Sequence, residues 1–286
     1  MILVTGATGH LGLAVIRQLL TRLPADRIAA LVRDRNKASA LEPQGVALRV
    51  GDYDSPAALR EAMRGVETVL LVSGTNEERA LQQHQNVVDA AKAAGVRTVA
   101  YTGRSLKDRA RLVNPLMQRH FETEDYIRAS GLDAILFRNA LYMDTIPVFA
   151  GEKAFDTGIR LPAGEGRVAF ALRSEQGEAI ANVLAEKGSG HRTYRLTGPQ
   201  AWSFGDVAAT LSELSGKPVR YTPIEPQAFT EQMKARGMPE PQVQKFLAFQ
   251  TDIQNGQEEE TTAELETLLG RKPASLREGL KALFRL

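Results

Sequence analysis

Three glycines near the start of the chain, Gly6, Gly9 and Gly12, are spaced three residues apart and separate a short apolar run from an amphipathic stretch. This arrangement predicts a strand, a tight turn and a helix, the local structure that receives the pyrophosphate of a dinucleotide. The helix start would offer unpaired N–H groups to that anion. An ordinary loop that contains glycine is the alternative. The loop residues predicted to contact the cofactor are Gly6, Thr8, Gly9, His10, Leu11 and Gly12.

The residue at the end of the second apolar run indicates which dinucleotide is favoured. An acidic residue there would bond the ribose hydroxyls of NAD, whereas this chain has Arg33. A guanidinium pairs with the 2′-phosphate of NADP, so NADP(H) is predicted in preference to NAD(H), with a solvated loop cation as the alternative. Asp52 and Tyr53 are predicted near the adenine, with helix capping as the alternative for Asp52. Ser73 and Gly74 are predicted beside the cofactor ribose, with an ordinary strand-to-helix turn as the alternative.

Several kinds of catalytic machinery are missing from the sequence. None of the six tyrosines is followed four residues later by lysine, so the Tyr-x-x-x-Lys relay of typical short-chain reductases is absent or replaced. No Gly-x-Ser-x-Gly segment indicates a hydrolase, and no Gly-Lys-Ser/Thr segment indicates an NTPase. The lack of cysteine excludes disulfides and cysteine nucleophiles, and no histidine or carboxylate cluster indicates a metal.

Charge and hydropathy limit the possible partners. The 286 residues include 36 basic and 34 acidic side chains, a net charge of +2, so neither nucleic acid nor an anionic membrane is predicted as a partner. No apolar run approaches the roughly 18 residues of a membrane span, and no signal-peptide pattern is present, so a cytoplasmic protein is expected. Glu258, Glu259 and Glu260 are expected to begin a solvated helix.

Short apolar runs alternate with helical patterns through the first half of the chain, which predicts an α/β fold with a doubly wound parallel sheet of the Rossmann type. The predicted strands are Ile2–Thr5, Ile28–Val32, Ala47–Val50, Thr68–Val72, Thr98–Thr102 and Asp133–Phe137. The predicted helices between them are Leu11–Arg22, Asn36–Ala40, Ser55–Met63, Ala80–Ala94 and Met117–Ala129.

The pattern changes near residue 139. Residues 1–138 are predicted to form a NAD(P)-binding domain, and 139–286 a smaller, mostly helical, substrate-covering subdomain that packs closely against it. Within this second part, Gly151–Gly166 is predicted to form a loop over the site. Strands are predicted at Arg192–Leu196 and Val219–Thr222, and a helix at Ser203–Leu214.

Longer segments resemble the NmrA-like group of atypical short-chain dehydrogenases/reductases, and within it the bacterial NAD(P)H-dependent quinone oxidoreductases and triphenylmethane dye reductases. The segments span most of the chain in the same order, and those between His120 and Tyr142 are more specific than the glycine motif. The resembling segments are Val4–Gly12, Ala30–Arg33, Gly51–Tyr53, Gln83–Val88, Ala100–Thr102, His120–Glu124, Arg138–Tyr142 and Trp202–Phe204.

The resemblance implies a Rossmann fold, NADPH as hydride donor, and a quinone or similar planar electrophile as acceptor, without a flavin. It places Thr102 and His120 beside the nicotinamide, and Asn139 and Tyr142 where the substrate pocket begins. His120, Asn139 or Tyr142 is therefore expected to donate a hydrogen bond or proton to the reduced oxygen. Glu124, one helical turn after His120, either orients the imidazole or forms a plain helix pair.

Several alternatives remain open at this point. The run Gly103–Arg109 is more charged than a pocket for apolar rings requires, which leaves open whether the acceptor is a quinone, a triphenylmethane dye or another aromatic compound. A redox sensor that binds NADP(H) without turnover also fits the missing Tyr-x-x-x-Lys relay. His84, at the start of a helix, is either structural or a cofactor contact. A monomer and a homodimer are both compatible with the sequence.

Overall fold

A parallel β-sheet forms the centre of the structure, a computed structural model that describes residues 1–74, 76, 78–151, 153–186 and 190–286. The strands are β1 (Ile2–Val4), β2 (Ile28–Val32), β3 (Ala47–Val50), β4 (Thr68–Val72), β5 (Thr98–Arg104), β6 (Asp133–Asn139), β7 (Ile159–Leu161), β8 (Arg167–Val168), β9 (Arg192–Leu196), β10 (Trp202–Ser203) and β11 (Tyr221–Pro223). Seven of them form the main sheet, in the order β3-β2-β1-β4-β5-β6-β9. The strand order reverses between β1 and β4, and open α/β sheets bind ligands at such a switch point. The predicted Rossmann-type fold is confirmed.

Helices cover both faces of this sheet and form most of the second half of the chain. They are α1 (His10–Leu20), α2 (Pro56–Ala62), α3 (Ala80–Ala93), α4 (Pro115–Ala129), α5 (Ile146–Ala150), α6 (Ala154–Thr157), α7 (Arg173–Ala185), α8 (Phe204–Ser215), α9 (Pro226–Ala235), α10 (Glu240–Gln254), α11 (Glu264–Leu269) and α12 (Leu276–Phe284). The helix predicted at Asn36–Ala40 is instead a short 3₁₀ turn, Arg35–Ala38. The Asp34 carboxylate caps this turn and accepts the Asn36 N–H at 2.9 Å.

The two faces of the sheet bury different residues of the same strands. Every residue of β1 and β2 is buried, as expected for parallel strands covered on both sides. Val4 belongs to the core that contains α1 and α7, whereas Leu3 belongs to the core under α2 and α3. Successive residues of one strand therefore face two different apolar cores, and this explains why the strands are nearly continuous apolar runs in the sequence.

The seventh strand of the sheet comes from the second half of the chain. The sequence predicted a strand at Arg192–Leu196 within the substrate-covering part, and the structure pairs it with β6, with Ile135 opposite Arg192. α7 packs on α1 so closely that a Cβ on Gly177 would lie 2.6 Å from the Ala14 Cβ. The main sheet therefore includes residues beyond 138, and the proposed division at residue 139 remains a prediction.

A separate apolar core lies within the second half of the chain and contains buried Phe204 and Phe229. The loop predicted at Gly151–Gly166 is wrong, because this segment contains α6 and β7. β7 pairs in parallel with β11, and Gly158 permits the close approach, since a Cβ there would lie 2.5 Å from the Arg220 carbonyl oxygen. The partner strand is distant in sequence, so local composition did not reveal the pairing.

The solvated helix start expected at residues 258–260 is also wrong. These residues follow α10 without forming a helix, and Glu258 is only 3% exposed. All three carboxylates form ion pairs with basic residues at the carboxyl end of the main sheet or just beyond it. The pairs join Glu258 to Arg104, Glu259 to Lys107 and Glu260 to Arg195. Three acidic residues in a row thus fasten this segment to the sheet.

Candidate active site

The turn after β1 brings its glycines into backbone contact. Gly6 has a φ of 55°, in the left-handed region, and its carbonyl oxygen accepts the Gly9 N–H at 2.9 Å. A Cβ on Gly12 would lie 2.4 Å from that same carbonyl oxygen. Gly12 is therefore required for α1 to sit directly on the turn, and Gly6 for the turn itself.

The start of α1 is suited to bind an anion. Its N-cap residue, Gly9, has no side chain to cap the free N–H groups, and no acidic residue occupies the first turn. Thr8 and His10 are exposed beside it, whereas the Leu11 side chain is buried in the core. The loop therefore presents backbone N–H groups and the positive end of the helix dipole to a ligand.

The turn after β2 leaves two cations, Arg33 and Lys37, without an ion pair to a described residue. Arg33 is exposed and has no ion pair or hydrogen bond with the described residues. Its neighbours are occupied: Arg35 contacts Glu42 at 2.5 Å, and the Asp34 carboxylate caps the 3₁₀ turn. Asp34 is thus committed to a local hydrogen bond, while the Arg33 guanidinium is free to meet a phosphate.

Tyr53 links three strands at the carboxyl edge of the sheet. Its hydroxyl contacts Thr5 Oγ1 and donates to the Val72 carbonyl oxygen at 2.8 Å, while Thr5 Oγ1 accepts the Val72 N–H at 3.0 Å. Burial raises the pKa of Tyr53, so the phenol stays protonated. The Asp52 carboxylate accepts the Asp54 N–H at 3.0 Å and closes the turn before α2. The Tyr53 hydroxyl and one carboxylate oxygen of Asp52 thus have structural partners.

The loop after β4 is held by side chains from β5 and α3. Thr102 Oγ1 accepts the Ser73 N–H, and His84 Nε2 accepts the Gly74 N–H, each at 3.0 Å. His84 Nδ1 lies 2.9 Å from Thr123 Oγ1, whose hydroxyl donates to a carbonyl one turn earlier in α4. Nδ1 therefore carries the proton of a neutral ring, and burial lowers the pKa of His84 to about 4. Thr102, which was predicted separately from Ser73 and Gly74, is thus brought together with Ser73.

His120 is paired with Tyr101, for which the sequence predicts no role. The Tyr101 hydroxyl lies 2.7 Å from His120 Nδ1. Nε2 of His120 forms no hydrogen bond with a described residue, and the side chain as a whole is 7% exposed. Burial, with a smaller contribution from nearby Arg104, lowers the pKa of His120 to about 3. The imidazole is neutral throughout the physiological range.

Glu124 does not orient His120. Its two carboxylate oxygens accept a bidentate pair from Arg138 at 2.9 and 2.7 Å, and Arg128 approaches at 3.4 Å. The hydrogen bonds with the Glu124 carboxylate raise the pKa of Arg138 further above its usual value. Of the two alternatives for Glu124, the structure shows the ion pair, formed with β6 as well as within α4.

The sequence gives one indication of Tyr101, its position in the resembling segment Ala100–Thr102.

Asn139 and Tyr142 are adjacent at the end of β6. Asn139 is fully buried and donates through Nδ2 to the Tyr142 hydroxyl at 3.3 Å, while its Oδ1 has no partner among the described residues. The Tyr142 ring lies under the Arg173 guanidinium, 4.6 Å from Cζ to the ring centroid. No hydrogen bond between described residues joins this pair to His120. The predicted catalytic residues are therefore not joined in one hydrogen-bonded network.

The whole chain resembles known proteins. The sequence model of the NmrA-like family matches residues 1–282. Quinone oxidoreductase 2 of Escherichia coli (strain K12) is 36% identical over 287 residues, which cover 100% of this chain and 99% of that protein. Both comparisons extend over the two halves of the chain.

Solved structures also match this chain over nearly its whole length. Triphenylmethane reductase of Citrobacter sp., in complex with NADP(H), superposes with a TM-score of 0.93 and 37% identity, over 99% of this chain and 100% of that one. The NADPH-dependent quinone oxidoreductase of Escherichia coli, in complex with NADPH, gives a TM-score of 0.94 at 35% identity, again over 99% and 100%. Within the described residues no metal-ligating cluster occurs, and none of their helices is long and apolar enough to cross a membrane.

Proposed function

Because the chain belongs to the NmrA-like family, we propose that it is an NADPH-dependent reductase that transfers hydride to a quinone or similar planar electrophile without a flavin. The observation that carries the cofactor assignment is the combination of the uncapped α1 with the unpaired Arg33 at the end of β2. The two features lie at the carboxyl edge of adjacent strands, where one dinucleotide can reach both.

The described residues fit NADPH. Backbone N–H groups at the start of α1 would hold the pyrophosphate, and Arg33 would pair with the 2′-phosphate. Ser73, Gly74 and Thr102 would line the path toward the nicotinamide. Thr102 Oγ1 holds the Ser73 N–H, and His84 Nε2 holds the Gly74 N–H. Asp52 and Tyr53 would shape the adenine end through the turn that they stabilise. When bound, this cofactor supplies the hydride.

His120 is the residue we assign to the acceptor oxygen. A phenol is a stronger hydrogen-bond donor than an imidazole N–H, so Tyr101 donates to His120 Nδ1 and the ring proton resides on Nε2. That N–H can donate to the oxygen on which negative charge develops, without any need for a charged histidine. Asn139 and Tyr142 supply a second pair of polar groups at the next strand end.

The missing Tyr-x-x-x-Lys relay is consistent with this chemistry. The anion formed when a quinone accepts hydride is delocalised, so alignment, exclusion of water and one hydrogen-bond donor matter more than a strong acid. The charged run Gly103–Arg109 does not oppose apolar rings, because its cations have acidic partners. These pairs are Arg104 with Glu258, Lys107 with Glu259, and Arg109 with Asp125.

A triphenylmethane dye is the second candidate acceptor, favoured by the full-length similarity to the Citrobacter enzyme. Other aromatic compounds are a broader version of the same proposal. We further propose that the chain has no nucleic-acid partner, supported by the nearly balanced charge of the sequence. The cytoplasmic location stays a prediction. Whether the chain acts as a monomer or a homodimer does not alter the proposed chemistry.

The proposal is tested by an acceptor screen that follows the loss of reduced-nicotinamide absorbance. Benzoquinones, naphthoquinones and triphenylmethane dyes are each supplied with NADPH and, separately, with NADH. We expect turnover of at least one class and a higher kcat/KM with NADPH. Tight NADPH binding without turnover of any acceptor would instead support the redox-sensor alternative.

A further inference from the structure

A cavity of about 680 Å³ lies wholly within the second half of the chain. All its lining residues fall between Val148 and Phe246, so none of the residues assigned to the cofactor or to hydride transfer contributes to it. Its volume lies in the range of small-molecule sites in proteins. The cavity is therefore a candidate site that the proposed reductase chemistry does not use.

The floor of this cavity is apolar and partly aromatic. Phe229 and Met233 of α9 are 2% and 9% exposed, and Phe246 of α10 completes the wall. The Phe246 ring meets the ring of Phe149 edge-on, with centroids 5.9 Å apart and an interplanar angle of 86°. Such a surface favours a flat apolar ligand.

Among the described residues that line the cavity, the charged ones are all basic. They are Lys153, Arg160 and Arg236, and the described lining includes no Asp or Glu. None of the three forms an ion pair with a described residue, in contrast to Lys234 on the same helix as Met233, which pairs with Glu240. Unpaired cations beside an apolar floor are complementary to an anionic group attached to a ring system.

We propose that this cavity binds an aromatic carboxylate or sulfonate at a site separate from the dinucleotide. The ring system lies on Phe229, Met233 and Phe246, and the anionic group meets Arg160 and Arg236. The proposal does not depend on the reductase activity, because binding at this site needs neither cofactor nor turnover.

Titration with the fluorescent probe 8-anilinonaphthalene-1-sulfonate tests the site in the intact protein, with and without saturating NADPH. We expect one saturable site whose Kd NADPH leaves unchanged, and a Kd about tenfold higher in the variant Arg160→Gln/Arg236→Gln. The control Arg277→Gln removes an exposed arginine that lies outside the cavity, and it should bind the probe as the wild type does. N-phenyl-1-naphthylamine, the uncharged analogue, should bind the wild type and the double variant equally.

The proposal is overturned if NADPH displaces the sulfonate probe, because the probe would then occupy the dinucleotide cleft. An unchanged Kd in the double variant would also overturn it. Both arginines are exposed, so the double variant should unfold at the wild-type urea concentration, and this measurement keeps a loss of binding separate from a loss of folding.

Discussion

Arg33 is predicted to bind the 2′-phosphate because its neighbours are bound to other protein groups. Arg35 and Asp34 are held by protein groups, which leaves Arg33 as the guanidinium free for a 2′-phosphate. We expect Arg33→Ser to raise KM for NADPH by roughly 10- to 100-fold, the loss of one or two charge-assisted hydrogen bonds, and to leave KM for NADH nearly unchanged. Steady-state kinetics with both cofactors measures this.

The matched control is Arg35→Ser, which removes a guanidinium two residues away that Glu42 already holds. It should alter neither KM by more than about twofold. Equal rises in KM for NADPH and NADH in Arg33→Ser would show that this residue does not read the 2′-phosphate.

Tyr101 is expected to position His120 rather than to react. Tyr101→Phe removes the hydroxyl that fixes Nδ1, so the ring can adopt the other tautomer and present a lone pair at Nε2. We expect kcat to fall about 10- to 100-fold in Tyr101→Phe, with the KM for NADPH unchanged. In His120→Ala, kcat should fall at least as far. Stopped-flow measurement of hydride transfer checks both variants.

Tyr126→Phe is the control for this experiment, because Tyr126 lies on α4 with His120 but its exposed hydroxyl donates to Asp89 at 2.7 Å. It should leave kcat unchanged. Unchanged quinone turnover in His120→Ala, with NADPH binding intact, would remove His120 from the mechanism and transfer the role to Asn139 or Tyr142.

At the scale of elements, the end of β5 and the segment after α10 are joined by a buried ion pair. The Arg104 and Glu258 side chains are 9% and 1% exposed, and burial raises the pKa of Glu258 while Arg104 opposes that rise. We expect Arg104→Met to lower the free energy of unfolding by about 3–5 kcal/mol, because it leaves a buried carboxylate without its cation. Urea unfolding at neutral pH measures the change.

The double variant Arg104→Met/Glu258→Leu separates charge from packing. It should recover most of the lost stability, since an apolar pair of similar volume often replaces a buried ion pair at little cost. Lys107→Met, which breaks an exposed pair in the same two segments, should cost less than about 1 kcal/mol. If the double variant were less stable than Arg104→Met, the cost would arise from packing and not from the unpaired charge.

The same two segments show what the sequence could and could not predict. The glycine turn and the first six strands were accessible because each is specified by residues close together in the chain. Glu258 was assigned to solvent because its partner Arg104 is 154 residues away. The Tyr101–His120 contact joins a strand to a helix, and neither residue type at its own position specifies the other. Local pattern therefore determined elements and the phosphate turn, whereas long-range pairing determined the rest.

For the whole molecule, two buried neutral histidines predict a loss of stability in mild acid. The pKa values of His84 and His120, about 4 and 3 in the folded protein, lie below the usual value of 6.5 that applies on unfolding. At pH values between the folded and the unfolded pKa, the unfolded chain binds more protons than the folded protein. The free energy of unfolding therefore rises with pH and levels off above about pH 6.5. On acidification from pH 7 to pH 5, each histidine should remove about 2 kcal/mol.

Urea unfolding at a series of pH values measures this dependence. His84→Gln should have the shallower curve, with roughly half of the histidine contribution gone, because the amide cannot be protonated in either state. Its absolute stability at pH 7 is not the readout, since the Gly74 and Thr123 contacts also change. Parallel curves for the wild type and the variant would contradict the assignment of His84 as buried and neutral.

The Arg104–Glu258 pair also constrains how this protein can diverge. If either charge alone is replaced, the intermediate carries a buried ion without its counter-ion, whereas replacing both is nearly neutral. Substitutions at the two positions should therefore be inherited together. A descendant with only one of them loses stability, and a marginally stable protein does not tolerate that loss. The end of β5 and the segment after α10 form, in evolutionary terms, a single site.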